Sequence, residues 1–151
     1  MRRKSPVPLF IGVVVLILIG AALFMLIGKS QEPETPEEVI QQFYDFEKEG
    51  DFGNAWELFH PEMKTLFPKS TYIQTKNHVF MGHMGVDEFE VNIGKIEKLK
   101  KFTFNQDGLT FRDVRKAKVD MLFQSQFGEL VISQNCYVAL EEGKWRVLWN
   151  Y

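Results

Sequence analysis

Eight basic side chains fall in one short segment: Lys95, Lys98, Lys100, Lys101, Arg112, Arg115, Lys116 and Lys118. Three acidic residues share the stretch from Lys95 to Lys118, which leaves it at net +5. Cations gathered in this way hold carboxylate, phosphate or sulfate groups by Coulomb attraction and charge-assisted hydrogen bonds. They hold lipid head groups for the same reason. The competing reading is a solvated strand face on which each cation is wetted singly. The other candidates for chemistry are weaker. His60, His78 and His83 are the three histidines, and no two stand three or four residues apart. None lies in an Asp/Glu-x-His pattern, so no metal site is expected. His78 and His83 border a glycine-rich turn, Met81–Gly85, and read as exposed or capping side chains. Gly28-Lys29-Ser30 has the end of a phosphate-binding loop, but Leu23 stands where that loop needs a glycine. Cys136 falls on an apolar strand face and reads as core. As the only cysteine it excludes an internal disulfide. No cofactor is expected.

These residues sit behind a hydrophobic leader. From Val7 to Ile27 there is no charged residue, a run of 21. At about 1.5 Å per helical residue it reaches roughly 30 Å, the depth of a bilayer's hydrocarbon core. Arg2, Arg3 and Lys4 precede it and favour a cytoplasmic N-terminus. A cleaved signal peptide is the rival reading, with Gly28 and Ser30 as a small-x-small site. The apolar region of such a leader is only about 7–15 residues. The expected organisation is a cytoplasmic end at 1–6, an anchor at 7–27, a linker at 28–34 and an extracytoplasmic domain at 35–151.

The part beyond residue 30 holds all 20 acidic residues but 14 of the 18 basic ones, a net of −6. That balance disfavours general nucleic-acid binding. Thr35, Pro36 and Glu38 form a capping-box start, and Val39, Ile40, Phe43, Tyr44 and Phe46 make one helical stripe. A second helix fits Phe52–Met63, interrupted near Pro61. A third starts at Ser70 and runs to about Phe80, with Tyr72, Ile73, Lys76 and Val79 recurring. Past Asp87 the period becomes two. Phe89–Ile93, Ala117–Phe123, Leu130–Leu140 and Trp145–Tyr151 alternate as strands, with turns at Gly128 and Glu142-Gly143. Asn105–Gly108 is a turn within a short hairpin. The order predicts an α+β fold: three helices packed on a curved antiparallel sheet. The aromatic ribbon Trp145, Val147, Trp149 is expected beside the sheet's middle, paired on both edges, with its rings over the helices.

The stretch from Thr35 to Lys64, a third helix, and a sheet closing on Trp145-x-Val147-x-Trp149 resemble the nuclear transport factor 2-like fold. The likeness is strongest to the N-terminal accessory domain of membrane-anchored penicillin-binding proteins. It covers about Thr35 to Tyr151 and rests mainly on core positions. No Ser-x-x-Lys nucleophile motif exists in the sequence, so serine acyl transfer is not carried over. Ketosteroid isomerases share the cone-like fold. Where they carry a first-helix tyrosine this chain has Phe43, with Tyr44 turned about 100° away. The hollow is therefore expected to be lined by Phe, Met and Val, with no base.

The resulting expectation is a single-pass, extracytoplasmic, non-catalytic binding or scaffold module of a bacterial cell envelope. Its partners would be the membrane, an envelope protein or an anionic wall polymer, with homo-oligomers possible and no nucleic acid. Some membrane-tethered members of the fold family serve as assembly parts, including scaffold components of type IV secretion systems. A small apolar ligand pocket, and behind it an isomerase-like enzyme, are the alternatives.

Overall fold

The computed structural model describes residues 33–79, 89–104, 108–125 and 128–149. The expected anchor, most of its linker, Phe80, the Met81–Gly85 turn, His83, residues 105–107 and Tyr151 lie outside them. Among the described residues no helix is long and apolar enough to cross a membrane.

The capping box forms as its residue types require. Thr35 Oγ1 accepts from the Glu38 N–H at 3.2 Å, and Glu38 Oε2 accepts from the Thr35 N–H at 3.3 Å. Helix α1 then runs Pro36–Lys48 and buries Val39, Ile40, Phe43, Tyr44 and Glu47. The expected second helix is two helices, α2 (Phe52–Glu57) and α3 (Pro61–Leu66). Pro61 has no N–H to continue the first, and it suits the opening turn of the next. The residues between the two leave the helical path. The His60 N–H donates to Val147 O at 2.9 Å, and the Val147 N–H donates to Leu58 O at 2.8 Å. Helix α4 spans Lys69–Asn77 with Pro68 at its cap, so Ser70 lies inside the helix and does not cap it.

Five strands follow among the described residues: β1 (Phe89–Ile93), β2 (Glu97–Thr103), β3 (Thr110–Ser125), β4 (Gly128–Glu141) and β5 (Lys144–Leu148). All pairings are antiparallel, in the order β1-β3-β4-β5, and the sheet curls into a half-barrel. Strands β1 and β2 lie end to end along β3, with Ile93 opposite Val119 and Glu97 opposite Lys116. Gly94 makes that step possible. Its N–H donates to Lys118 O at 2.8 Å, and a Cβ on it would sit 3.1 Å from the same oxygen. The β4–β5 turn places Glu142 at φ 49° and Gly143 at φ 80°, the left-handed pair of a two-residue hairpin.

Strand β5 is not flanked by two strands. It is the sheet's edge, paired with β4 on one side. On its other side runs only the isolated parallel bridge Phe59–Val147, because the chain between α2 and α3 passes there. Its aromatic face does meet the helices. The Trp149 ring lies 5.9 Å from Phe43, 5.6 Å from Phe59 and 5.6 Å from Tyr72.

The sheet buries both faces at one end. Cys136, Tyr137, Val138 and Ala139 are four consecutive buried residues of β4. On β3 the buried positions pass from Phe123, Met121, Val119 and Ala117 to Val114, from odd to even. Asp113, at φ 52°, lies at this change. Phe102 stacks on Tyr137 at 4.0 Å, and Phe104 packs on Phe102 at 4.9 Å. A second aromatic cluster thus closes the face away from α1.

Candidate functional site

The interior holds ionisable groups, and this corrects the expectation of a hollow lined only by Phe, Met and Val. Glu47 follows Phe43 and Tyr44 by one helical turn, so the stripe that buries them carries it inward. Its side chain has no exposure, while that of Lys76, from α4, is 12% exposed. Lys76 Nζ lies 2.6 Å from Glu47 Oε1. The Tyr72 hydroxyl donates to the same oxygen at 2.5 Å. Glu47 Oε2 has no hydrogen-bond partner among the described residues. The Lys76 ammonium also sits 4.2 Å from the centre of the Trp149 ring. Nearby, the Tyr44 hydroxyl accepts from Gln134 Nε2 at 2.6 Å and neighbours the Cys136 thiol.

This cluster ties α1 to α4 and to β4. A carboxylate taken out of water needs donors, and here it has a lysine and a phenol. Burial raises the Tyr44 and Tyr72 hydroxyls above the ordinary tyrosine range, with Glu47's charge adding to it. Burial also pushes the Cys136 thiol up to about 12. For Lys76 burial lowers the pKa, against the pull of Glu47. The folded state therefore holds the two tyrosine protons and the thiol proton more tightly than the unfolded chain does. Their contribution is complete below the unfolded values and is lost as pH rises past them, from about 9 upward. Lys76 acts in the opposite sense, since its folded value lies below its unfolded one. Three groups against one predict a net fall in stability above about pH 9. Urea melts between pH 8 and 11 check this, and Tyr44→Phe should shrink the fall.

His60 lies close to a carboxylate, with Nε2 3.3 Å from Glu141 Oε2. Its Nδ1 accepts the Glu62 N–H at 3.2 Å, capping α3. Nδ1 is thus the acceptor and Nε2 carries the proton. Burial lowers its pKa and favours the neutral ring. With both nitrogens engaged, the pair is a structural cap and offers no free base. His78 is the C-cap of α4. Among the described residues no group of three His, Cys, Asp or Glu side chains is placed to hold a metal ion.

The hairpin β2–β3 gathers part of the basic segment and disperses the rest. Lys98 lies opposite Arg115, and Lys101 opposite Arg112, in the same antiparallel register. Lys116 faces Glu97 at 3.6 Å and Lys118 binds Asp120 at 2.8 Å, so these two are neutralised locally. Lys98 is 3.9 Å from Asp113. Arg115 donates to the Asp113 carbonyl at 2.8 Å and lies 5.2 Å from the Trp145 ring centre. Lys95 sits on the step between β1 and β2. Lys95, Lys100, Lys101 and Arg112 are exposed and form no ion pair among the described residues. Like charges directly opposite on paired strands are destabilising. Two such pairs in one hairpin are therefore kept at a cost to the fold.

Glu47 and Lys76 are the residues that reasoning from sequence missed. The available signal was a charged residue at an apolar-stripe position on each of two helices.

No family model matches the chain, and no curated protein matches it. Its fold is similar to the solution structure of a SEC-C motif-containing protein from Rhodopseudomonas palustris. The two are 15% identical, with a TM-score of 0.54 over 81% of this chain and 81% of that one. A SEC-C motif-containing protein from Psychrobacter arcticus is 10% identical, with a TM-score of 0.48. That match covers 82% of this chain and 63% of the other. Identity at this level speaks for the fold alone, and only through the first of the two.

Proposed function

We propose that the chain is a membrane-anchored, extracytoplasmic binding module of a bacterial envelope, acting by contact and not by turnover. In this reading residues 7–27 are the single-pass anchor and residues 35–151 a nuclear transport factor 2-like domain. The domain is akin to the accessory domain of penicillin-binding proteins. Contact with an envelope protein or an anionic polymer is its work, and copies of the chain can associate.

One observation carries this reading: the opposed cations Lys98/Arg115 and Lys101/Arg112 on β2–β3. An anionic partner supplies the countercharge that Lys101 and Arg112 lack among the described residues. The interior carboxylate supports contact over turnover, because Glu47 Oε1 is already engaged by Lys76 and Tyr72 inside a closed core.

The test is reversal of Lys98, Lys101 and Arg112 to glutamate in the full chain. Arg115 is spared because it braces backbone carbonyls and Trp145. A basic residue near an anionic surface is worth about 1 kcal/mol. The triple variant should therefore bind a polyanion at least about a hundredfold more weakly, with its melt near that of the parent. Unchanged binding would refute the reading. Protease added to whole cells tests the topology, and it should degrade the domain.

A further inference from the structure

The binding reading leaves the partner's chemistry open, and what surrounds the opposed cations narrows it. Trp145 lies directly across from Leu140 on β5 and β4. Leu140 is 53% exposed, a large apolar side chain left in water. Trp145 is half-buried, and the Arg115 guanidinium lies against its ring at 5.2 Å. Arg115 in turn faces Lys98. Lys101 and Arg112 follow three residues along, roughly 10 Å at the rise of a strand. The surface thus runs from an apolar plate, through a guanidinium in contact with it, to two successive cation pairs.

Resting on that reading, we propose that β2–β3 and the adjoining Leu140–Trp145 surface bind an anionic polysaccharide. A sugar ring has an apolar C–H face that packs on an indole and on leucine. The acidic substituents of the same chain fall to Arg115, Lys98, Lys101 and Arg112. A bare polyphosphate uses the cations but gains nothing from Leu140 and Trp145. An acidic peptide satisfies the cations too, yet offers no repeating ring to the apolar plate. A chain carrying rings and charges in alternation uses both parts.

The experiment titrates the full chain, in micelles of an uncharged detergent, with three probes: dextran sulfate, long-chain polyphosphate and poly-L-glutamate. Trp145→Ala should weaken dextran sulfate binding by about tenfold, the loss of one aromatic stacking contact. Polyphosphate binding should change by less than about twofold. Leu140→Ser, an exposed change that leaves the core alone, is the second variant and should weaken dextran sulfate severalfold. It keeps the proposal testable if Trp145→Ala does not fold. If both variants bind all three probes as the parent does, while the charge-reversal variant binds none, the polysaccharide is refuted and the anionic-contact reading stands. Poly-L-glutamate bound most tightly, and through Trp145, would make an acidic peptide the partner and overturn the proposal. Binding of no probe overturns both.

Discussion

Lys76→Met lowers the unfolding free energy by about 3–5 kcal/mol, the cost of leaving a buried charge without its partner. Glu47 has no side-chain exposure, and its Oε1 is shared by Lys76 Nζ and the Tyr72 hydroxyl. Methionine fills the lysine's volume but gives the carboxylate nothing. Glu47 Oε2 has no hydrogen-bond partner among the described residues, so the Tyr72 hydroxyl alone would remain on the carboxylate. The loss follows from the charge and not from packing, which a second variant separates. Glu47→Gln with Lys76→Met removes both charges and keeps an acceptor for Tyr72. Replacing a whole buried pair with groups of similar volume is often neutral or stabilising by about 1–4 kcal/mol. The double variant should therefore recover most of the stability. Urea unfolding followed by tryptophan fluorescence gives all three values. A loss below about 1 kcal/mol for Lys76→Met would place the pair in water, as for an exposed ion pair.

Removing the residues after Gly143 abolishes cooperative unfolding. Those residues include Val147 and Leu148, each 1% exposed, and Trp149, set among Phe43, Phe59 and Tyr72. Burying an aliphatic side chain of this kind contributes about 1.5–3 kcal/mol. Deletion also frees the Leu58 carbonyl and His60 N–H bonds to Val147 and bares the outer edge of β4. Together these losses approach the ~5–15 kcal/mol that separates a folded domain from its unfolded chain. Circular dichroism on heating should show a broad, featureless change. A sharp two-state melt in the shortened chain would show that β5 is dispensable.

The elements that sequence could anticipate are those whose determinants are local. Thr35, Pro36 and Glu38 define the start of α1 within four residues, and the structure forms both bonds of the box. Pro61 marks the break between α2 and α3, and Gly143 the β4–β5 turn, because each restricts its own backbone. Of strand β2, the hairpin expected around Asn105–Gly108 reaches only the last residue, Thr103. In EKLKKFT the lysines leave little alternation to detect, and the strand exists because β3 pairs with it. The position of β5 depends on strand order, which no local pattern encodes. The interior cluster was hidden for a related reason. Glu47 alone looks like the polar end of a helix, and Lys76 alone is a single charge on the stripe of Tyr72, Ile73 and Val79. Only their meeting in the fold turns them into a buried pair. The basic segment was visible as composition. That Lys116 and Lys118 spend their charge on Glu97 and Asp120, while Lys101 and Arg112 do not, is a matter of register and of side-chain contacts.

Amide chemical-shift mapping on the isotopically labelled full chain tests most directly whether this protein works through the β2–β3 hairpin. Dextran sulfate is titrated in at low salt. The account predicts that the resonances of Glu97–Thr103 and Thr110–Lys116 move together and saturate, and return when salt is raised. Those of Glu47, Tyr72 and Lys76 should stay in place. Shifts centred on α1 and α4 with the hairpin still would locate binding in the interior cluster and contradict the account.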